Sequence, residues 1–379
     1  MEGLQVGGNT YFLIGELMKK YLNNKIVLMI LISLLIIIFI FNDYFLYKTP
    51  ILKINRIDTT EEQYGSYNEK YYNQKISGYI MNGKYKGKKI TVTNVSSTSG
   101  VNDEKIHKHS ELFVNINDDN NSIIGIKRDK YIAILLVLFI DMIIIISGKK
   151  GVKTLISLLV NVIISALAIY VFQSNAERFN LLLLYIIVSI IYIITSLLIT
   201  NKRSPKTYTA IVCSIISLFT SFGLSYLVIH LCGRDVSIWT MEYIEYVRDY
   251  ENYFYVYILL SGLGAIMDIS ITIASSLNEL IDNNFKISRK ALLKSGKEIS
   301  KDIVGTMSNV MLFTCFTPII PITFLAIKNN MPLLRAIASY GEIELTIVLC
   351  SCISIIIAIP ISLYLSVYLL KKYKKEVIK

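Results

Sequence analysis

The sequence has few charged residues for its length, and its largest polar stretch contains no cysteine. Charged residues make up 18% of the 379 residues and hydrophobic residues 53%, whereas soluble domains carry about 25% charge. The cysteines all lie outside residues 42–129, within or at the ends of apolar runs: Cys213, Cys232, Cys315, Cys350 and Cys352. A disulfide framework and a cysteine-based metal site are therefore not predicted.

Common catalytic motifs are also missing. The sequence contains no Gly-x-Ser-x-Gly, no His-Glu-x-x-His and no Walker motif, so hydrolase, zinc protease and ATPase activities have no support. His107 and His109 would share one face of a strand and lie near acidic residues, a geometry compatible with a divalent ion. Their polar surroundings favour a solvated loop instead. We predict no enzyme, no cofactor and no metal site.

Long apolar runs recur from one end of the chain to the other. About 20 apolar residues are needed to cross a bilayer as a helix, and eight runs approach or exceed that length. The sequence therefore predicts an all-α polytopic membrane protein with about eight transmembrane helices, at residues 26–41, 131–147, 155–172, 181–200, 208–231, 253–274, 303–327 and 343–370.

The positive charges indicate how these helices are oriented. The net charge of +11 is concentrated in alternate connecting segments and in the tail at 371–379. Basic residues mark cytoplasmic loops, so we expect both termini inside, with residues 1–25 as a cytoplasmic segment, 26–41 as an anchor helix and 130–370 as a seven-helix bundle. This distribution favours lipid over nucleic acid as the partner and predicts a multi-pass membrane protein. The weight of Ile, Asn, Lys and Tyr indicates an AT-rich bacterial genome, so a bacterial cell membrane is the expected location.

Residues 42–129 differ from the rest of the chain. They are polar and contain five short β-type runs at 51–56, 75–81, 89–95, 111–116 and 122–127, separated by turn formers such as Asn82-Gly83. Alternation of apolar and polar residues is typical of half-buried strands. We expect a small extracytoplasmic, β-barrel-like domain after the first helix.

The run at 259–279 carries a carboxylate in the middle of an apolar segment. Residues three or four positions apart share a helix face, and one face of this run, starting at Ser261, collects small and polar residues: Gly264, Ala265, Asp268, Thr272, Ser275, Ser276 and Glu279. Gly262 and Gly264, and Gly305 in the next span, are expected to allow close helix packing. A charged side chain at the centre of a membrane helix costs about 2.5–3.5 kcal/mol. The stripe should therefore face partner helices or a water-filled cavity.

The next span repeats this pattern after a basic connector. Asp302, Thr306 and Asn309 share one face, with Gly305 and Ser308 beside them. We expect an antiparallel neighbour to bring Thr306, Ser308 and Asn309 within hydrogen-bonding reach of the Asp268 stripe. Farther along, Pro318 and Pro321 remove two backbone donors and predict a break in the helix.

These motifs together resemble the signature of the YibE/F family of bacterial multi-span membrane proteins. The resemblance rests on the runs 262–268, 275–279 and 301–309, with Gly148-Lys149-Lys150-Gly151 and the run 342–360 in support. An architectural resemblance to resistance-nodulation-division permeases and the protein-export pair SecD/SecF rests on Gly264-x-x-x-Asp268, the basic connector and the polar helix after it. That second resemblance implies that intramembrane acids carry protons.

Two functional hypotheses remain open. The first is an ion- or proton-coupled transporter or permease of a small solute or ion, in which Asp268 is the titrating group. The second is a non-transporting scaffold or assembly factor, with a partner protein bound by the outer domain or a second copy of the chain as partner. In the first hypothesis a set of polar residues on the two spans forms the proton relay: Asp268, Thr272, Ser275, Ser276, Glu279, Asp302, Thr306, Ser308 and Asn309. Asp268 could instead serve only to hold helices together, and Glu279 and Asp302 could instead be solvated helix ends or helix caps.

Overall fold

A computed structural model describes residues 24–64, 69–98, 103–116, 121–174, 180–231 and 250–377. The predicted cytoplasmic segment 1–25 lies almost wholly outside these ranges. The chain divides into an N-terminal unit, Met1–Gly151, and a C-terminal unit, Val152–Lys379.

The N-terminal unit contains one helix followed by a five-stranded antiparallel sheet. Helix α1 (Asn24–Phe41) leads through a short 3-10 helix (Asp43–Leu46) into the strands, which lie in the order β3-β2-β1-β4-β5. Their bounds are β1 Ile51–Tyr64, β2 Glu69–Ile80, β3 Lys89–Ser97, β4 Glu111–Asn115 and β5 Ser122–Ile126.

The two outer strands of this sheet approach each other, so that the domain is a nearly closed small barrel. Asn121, just before β5, donates through Nδ2 to the carbonyl oxygen of Thr91 on β3, at 3.5 Å. Alternate residues point inward, with Ile76, Ile90 and Val92 almost fully buried. The predicted β-barrel-like domain is confirmed, and each of the five predicted runs overlaps one strand, although β1 and β2 are much longer than their predicted runs.

Helix α2 (Asp129–Ser174) contains two of the predicted spans, one on either side of Gly148. Gly148 has φ 54° and ψ −129°, a conformation outside the helical region that glycine adopts easily. A Cβ on Gly151 would lie 2.4 Å from the carbonyl oxygen of Ile143, although eight residues of straight helix span about 12 Å. The chain therefore turns sharply at Gly148 instead of continuing as one rod.

The C-terminal unit is helical and packs around α4, α6 and α9. Its helices are α3 Leu181–Thr200, α4 Pro205–Leu231, α5 Tyr250–Ser261, α6 Leu263–Asn283, α7 Arg289–Phe316, α8 Ile319–Lys328 and α9 Leu333–Val377. Ile193, Leu218, Ile266, Ile355 and Leu363 are among the buried side chains of its core. The Ser288 hydroxyl caps α7 by accepting from the Ala291 amide at 3.1 Å.

Within the described ranges, five helical segments are long and apolar enough to cross a membrane, one of them formed by α5 and α6 together, or six if the bent pair α7 and α8 is one span. The described apolar part of α1, Val27–Phe41, is shorter, and α2 counts once although it contains two predicted spans. The mostly helical, membrane-type fold is thus supported. The figure of about eight crossings and the inside location of both termini stay predictions.

Candidate functional site

The two faces of α6 differ sharply in burial. Leu263, Ile266, Ile269, Ile273 and Leu277 are each at most 6% exposed and belong to the core of the C-terminal unit. The polar stripe lies on the other side: Gly264, Asp268, Thr272 and Glu279 are exposed, and Ser275 and Ser276 are half-buried. The apolar face therefore holds α6 in the bundle, and the polar stripe faces away from the packed core.

Asp268 has no hydrogen-bond or ion-pair partner within the described residues. It lies near the middle of Glu251–Asn283, a segment formed by α5 and α6 that is apolar and long enough to span a membrane. A carboxylate at that depth is costly unless it meets water or another polar group. No described residue of the chain provides that polar group for Asp268.

Helix α7 has the same arrangement on its membrane half. Ile303, Val304, Met307 and Met311 pack against the core, whereas the polar positions are turned away from it: Asp302, Gly305, Thr306 and Asn309 are exposed and Ser308 is half-buried. The hydroxyl of Thr306 donates to the carbonyl oxygen of Asp302 at 3.0 Å. Both polar faces are thus open.

The structure does not bring these two faces into hydrogen-bonding contact. Within the described part of the chain, no hydrogen bond joins Thr306, Ser308 or Asn309 to the stripe of Asp268. The expected pairing across α6 and α7 is therefore not formed in a single chain.

The glycines and prolines singled out in the sequence have different surroundings. A Cβ on Gly262 would lie 2.9 Å from the Ser354 Cβ of α9, whereas Cβ atoms on Gly264 and Gly305 would meet nothing within 4 Å. Gly262 thus permits close packing against α9. Pro318 lies between α7 and α8, Pro321 lies in the first turn of α8, and the two helices are bent by 41°.

Asp141, an acid in another of the predicted spans, has a partner. Its Oδ1 accepts a hydrogen bond from the Ser33 hydroxyl of α1 at 2.9 Å, and Ser33 is only 9% exposed. This bond joins α1 to the first part of α2. Asp141 therefore links two helices, whereas Asp268 makes no such contact within the described residues.

Sequence reasoning missed a serine-lined contact among α4, α5, α6 and α9. The Ser270 and Ser362 hydroxyl oxygens lie 3.0 Å apart, and the Ser351 hydroxyl donates to that of Ser261 at 2.8 Å. On α4 the buried small polar residues recur every three or four positions: Ser214, Ser217, Ser221 and Ser225. Small residues at this spacing allow membrane helices to approach closely, and that spacing was the available signal.

A second unpredicted feature is a buried ion cluster beside the barrel. The ammonium group of Lys127, whose side chain is fully buried, lies 2.7 Å from Asp43 Oδ1 and 2.6 Å from Asp129 Oδ2. The Tyr47 hydroxyl donates to Asp129 Oδ2 at 2.7 Å. These contacts fix the entry and exit of the barrel to the ends of α1 and α2.

The electrostatics of this cluster follow from those contacts. Burial alone would lower the pKa of Lys127, but the hydrogen bonds to Asp129 and Asp43 outweigh it, and the pKa is raised. The bond to Asp129 and then burial raise the pKa of Tyr47, so its hydroxyl stays protonated and donates. Burial also raises the pKa of Asp43, against the opposing effect of Lys127.

Metal binding has no candidate in the ranges that the structure describes. No group of three His, Cys, Asp or Glu side chains there could hold an ion. His107 and His109 are exposed and lie in the segment between β3 and β4, as expected for a solvated loop.

Comparison with known proteins assigns the chain to a family. The model of the YibE/F-like protein matches residues 135–372, and that of the YibE/F family N-terminal domain matches residues 45–128. No curated protein and no solved structure matches significantly. The two family models divide the chain into the barrel and the helical region that contains both polar faces. Together they cover nearly the whole sequence, and the protein belongs to the YibE/F family.

Proposed function

We propose that this protein is an ion- or proton-coupled permease of a bacterial cell membrane, with Asp268 as the titrating group. The supporting observation is the position of that carboxylate: it lies in the middle of a membrane-length segment, on an exposed face, with no partner within the described residues. Acids within membrane segments mark proton and ion pathways where they face a bundle interior or a water-filled cavity, and we propose such a cavity along the open face of α6.

The packing of α6 supports an active rather than a structural role for Asp268. The core contacts of α6 come from the opposite, apolar face and from Ser270, so the helix is held in place without the carboxylate. Asp268 is then free to bind and release a proton or a cation without breaking the bundle.

The polar stripes of α6 and α7 would line the path. Thr272, Ser275, Ser276 and Glu279 continue along α6 from Asp268 toward its C-terminal end, and Asp302 lies in the first half of α7. Hydroxyl groups and boundary acids at these positions would hold a chain of water molecules that connects Asp268 with the cytoplasmic side. The protonated carboxyl is the form that the membrane interior tolerates best, so proton binding would accompany movement of the coupled solute.

The test is proton flux into proteoliposomes that contain the full-length protein and a pH-sensitive dye, driven by an imposed membrane potential. We expect Asp268→Asn to abolish the protein-dependent flux. Asp282→Asn, at the end of the same helix where Asp282 accepts from Asn278 at 2.7 Å, is the matched control and should keep it. Equal flux in wild type and Asp268→Asn would reject the proposal.

The open polar faces also favour a second candidate, a scaffold on which a second copy or a partner protein covers α6 and α7. In that case the wild type would show no flux above that of empty liposomes. Thr272→Trp would then disrupt the assembly seen by native mass spectrometry, whereas Tyr208→Trp, at an exposed position of α4, would not.

A further inference from the structure

The N-terminal unit contains a cavity of about 610 Å³ beside the barrel. Phe41, Met81 and Tyr131 form part of its apolar wall, and Lys53, Lys108 and Lys130 contribute its cationic part. Phe41 is the last residue of α1, and Tyr131 lies in the first turn of α2. The cavity thus lies where α1 ends and α2 begins. If these helices cross a bilayer, this position is at the level of the lipid headgroups.

The charges that line this cavity do not cancel. Lys53 and Lys108 are exposed and have no ion-pair or hydrogen-bond partner among the described residues. Lys130 is neutralised by Glu111, with Nζ 2.5 Å from Oε1. Glu111 is the one acidic residue of the lining, so two lysine ammonium groups remain available to an anion, as charge-assisted donors.

Glu111 also leaves one acceptor unused. Its Oε1 accepts from both Lys130 and the Tyr44 hydroxyl, whereas Oε2 is buried and has no partner among the described residues. Burial and the bond to Glu111 raise the pKa of Tyr44, so that its hydroxyl keeps its proton and its donor role. An unsatisfied buried acceptor is costly. Glu111 is one of the lining residues, so a hydroxyl group of a bound molecule that reached Oε2 would satisfy it.

We propose that this cavity binds a phosphoglycerol group. Lys53 and Lys108 would hold the phosphate oxygens, and a glycerol hydroxyl would donate to Glu111 Oε2. The apolar wall near Phe41 and Tyr131 would accept the adjoining carbon chain. The group could come from the headgroup of phosphatidylglycerol or from soluble glycerol phosphate, since both offer the same anion and the same hydroxyl donors.

The test uses the purified full-length protein in detergent. Native mass spectrometry would measure binding of phosphatidylglycerol and of phosphatidylcholine, which has neither a net negative charge nor a hydroxyl donor in its headgroup. Titration calorimetry would measure binding of glycerol phosphate. The variant Lys53→Gln/Lys108→Gln is compared with Lys84→Gln/Lys86→Gln, which removes the same charge from an exposed turn of the same barrel outside this lining.

We expect phosphatidylglycerol, glycerol phosphate or both to bind, and phosphatidylcholine to bind at least about tenfold more weakly. Lys53→Gln/Lys108→Gln should weaken binding about tenfold or more, with Lys84→Gln/Lys86→Gln close to wild type. Binding of phosphatidylglycerol alone would identify the membrane as the source of the group. Binding of both phosphatidylglycerol and glycerol phosphate would identify a soluble source as well. Absence of binding by either ligand, or equal loss in both variants, would overturn the assignment.

Discussion

The acidic residues of the N-terminal unit differ from Asp268 in the C-terminal unit. Near the barrel, Asp43, Glu111 and Asp129 each bond to a lysine or a tyrosine, and Asp141 bonds to Ser33. Asp268 has no such partner in the described parts of the chain. The paired acids help to hold the N-terminal unit together. The described contacts give Asp268 no comparable role in packing.

The prediction with the largest expected effect removes Lys127, the cation that pairs with Asp43 and Asp129. Lys127→Met would leave the buried Asp43 and the half-buried Asp129 without their counter-charge, and breaking a buried pair such as Lys127–Asp43 costs about 3–5 kcal/mol. We expect hydrogen exchange of the barrel strands in the full-length protein to accelerate accordingly.

The matched control for Lys127→Met is Lys70→Met. Lys70 pairs with Glu61 at 2.6 Å, but both side chains are about half exposed, at 51% and 50%. Exposed ion pairs contribute little, so exchange should not change detectably. Equal effects of the two substitutions would show that burial of Lys127 does not matter.

The next prediction compares two glycines at the start of α6, one packed against α9 and one on the open face. Gly262→Ala places a methyl group 2.9 Å from the Ser354 Cβ, and overpacking of this kind costs about 1–3 kcal/mol. Gly264→Ala, where the added Cβ meets nothing within 4 Å, should leave the thermal unfolding midpoint unchanged or slightly raised. A lower midpoint for Gly264→Ala than for Gly262→Ala would contradict the assignment of the packed and open faces.

Alkaline pH should lower the stability of the barrel and of the ion contacts beside it. Tyr44, Tyr47 and Lys127 have pKa values in the fold above their ordinary values of 10.0, 10.0 and 10.5. The unfolded chain therefore loses these protons first, and the stability present below about pH 10 falls as the pH rises through the folded values. Tyr44→Phe/Tyr47→Phe should flatten the fall in the barrel's hydrogen-exchange protection between pH 9 and 11, a window set by the ordinary tyrosine pKa of about 10. An unchanged slope would argue against this linkage.

The smallest expected effect concerns the paired intramembrane acid. Ser33→Ala removes the single hydrogen bond of Asp141, and such bonds between membrane helices average about 0.6 kcal/mol. The unfolding midpoint should fall slightly, and proton flux should stay at the wild-type level. Loss of flux in Ser33→Ala would mean that Asp141, rather than Asp268 alone, takes part in transport.

The barrel could be predicted from sequence because its signals are local. Alternation in β3 and the turn at Asn82-Gly83, where Gly83 has φ 68°, place strands without knowledge of their neighbours. The ion cluster could not be predicted, because Lys127 and Asp43 are 84 positions apart and their meeting depends on closure of the barrel. The serine-lined contact likewise depends on which helices are neighbours.

Sequence reasoning distinguished two stripes on α6 but did not place either of them in the bundle. A polar stripe beside an apolar one is visible in the sequence near Asp268. The sequence does not show which stripe packs inward, because lipid is as apolar as leucine and does not drive the apolar face into the protein core. The structure shows that the apolar face packs and the polar face stays open.

The most direct test of the central claim is the water accessibility of Asp268 in its membrane. Full-length protein in proteoliposomes would be treated with a water-soluble carbodiimide and an amine, and the modified carboxyl groups identified by mass spectrometry. We predict modification of Asp268 and protection of Asp141, whose Oδ1 is bonded to Ser33. Modification of Asp268 by a lipid-soluble carbodiimide alone would place it against lipid and contradict the proposed pathway.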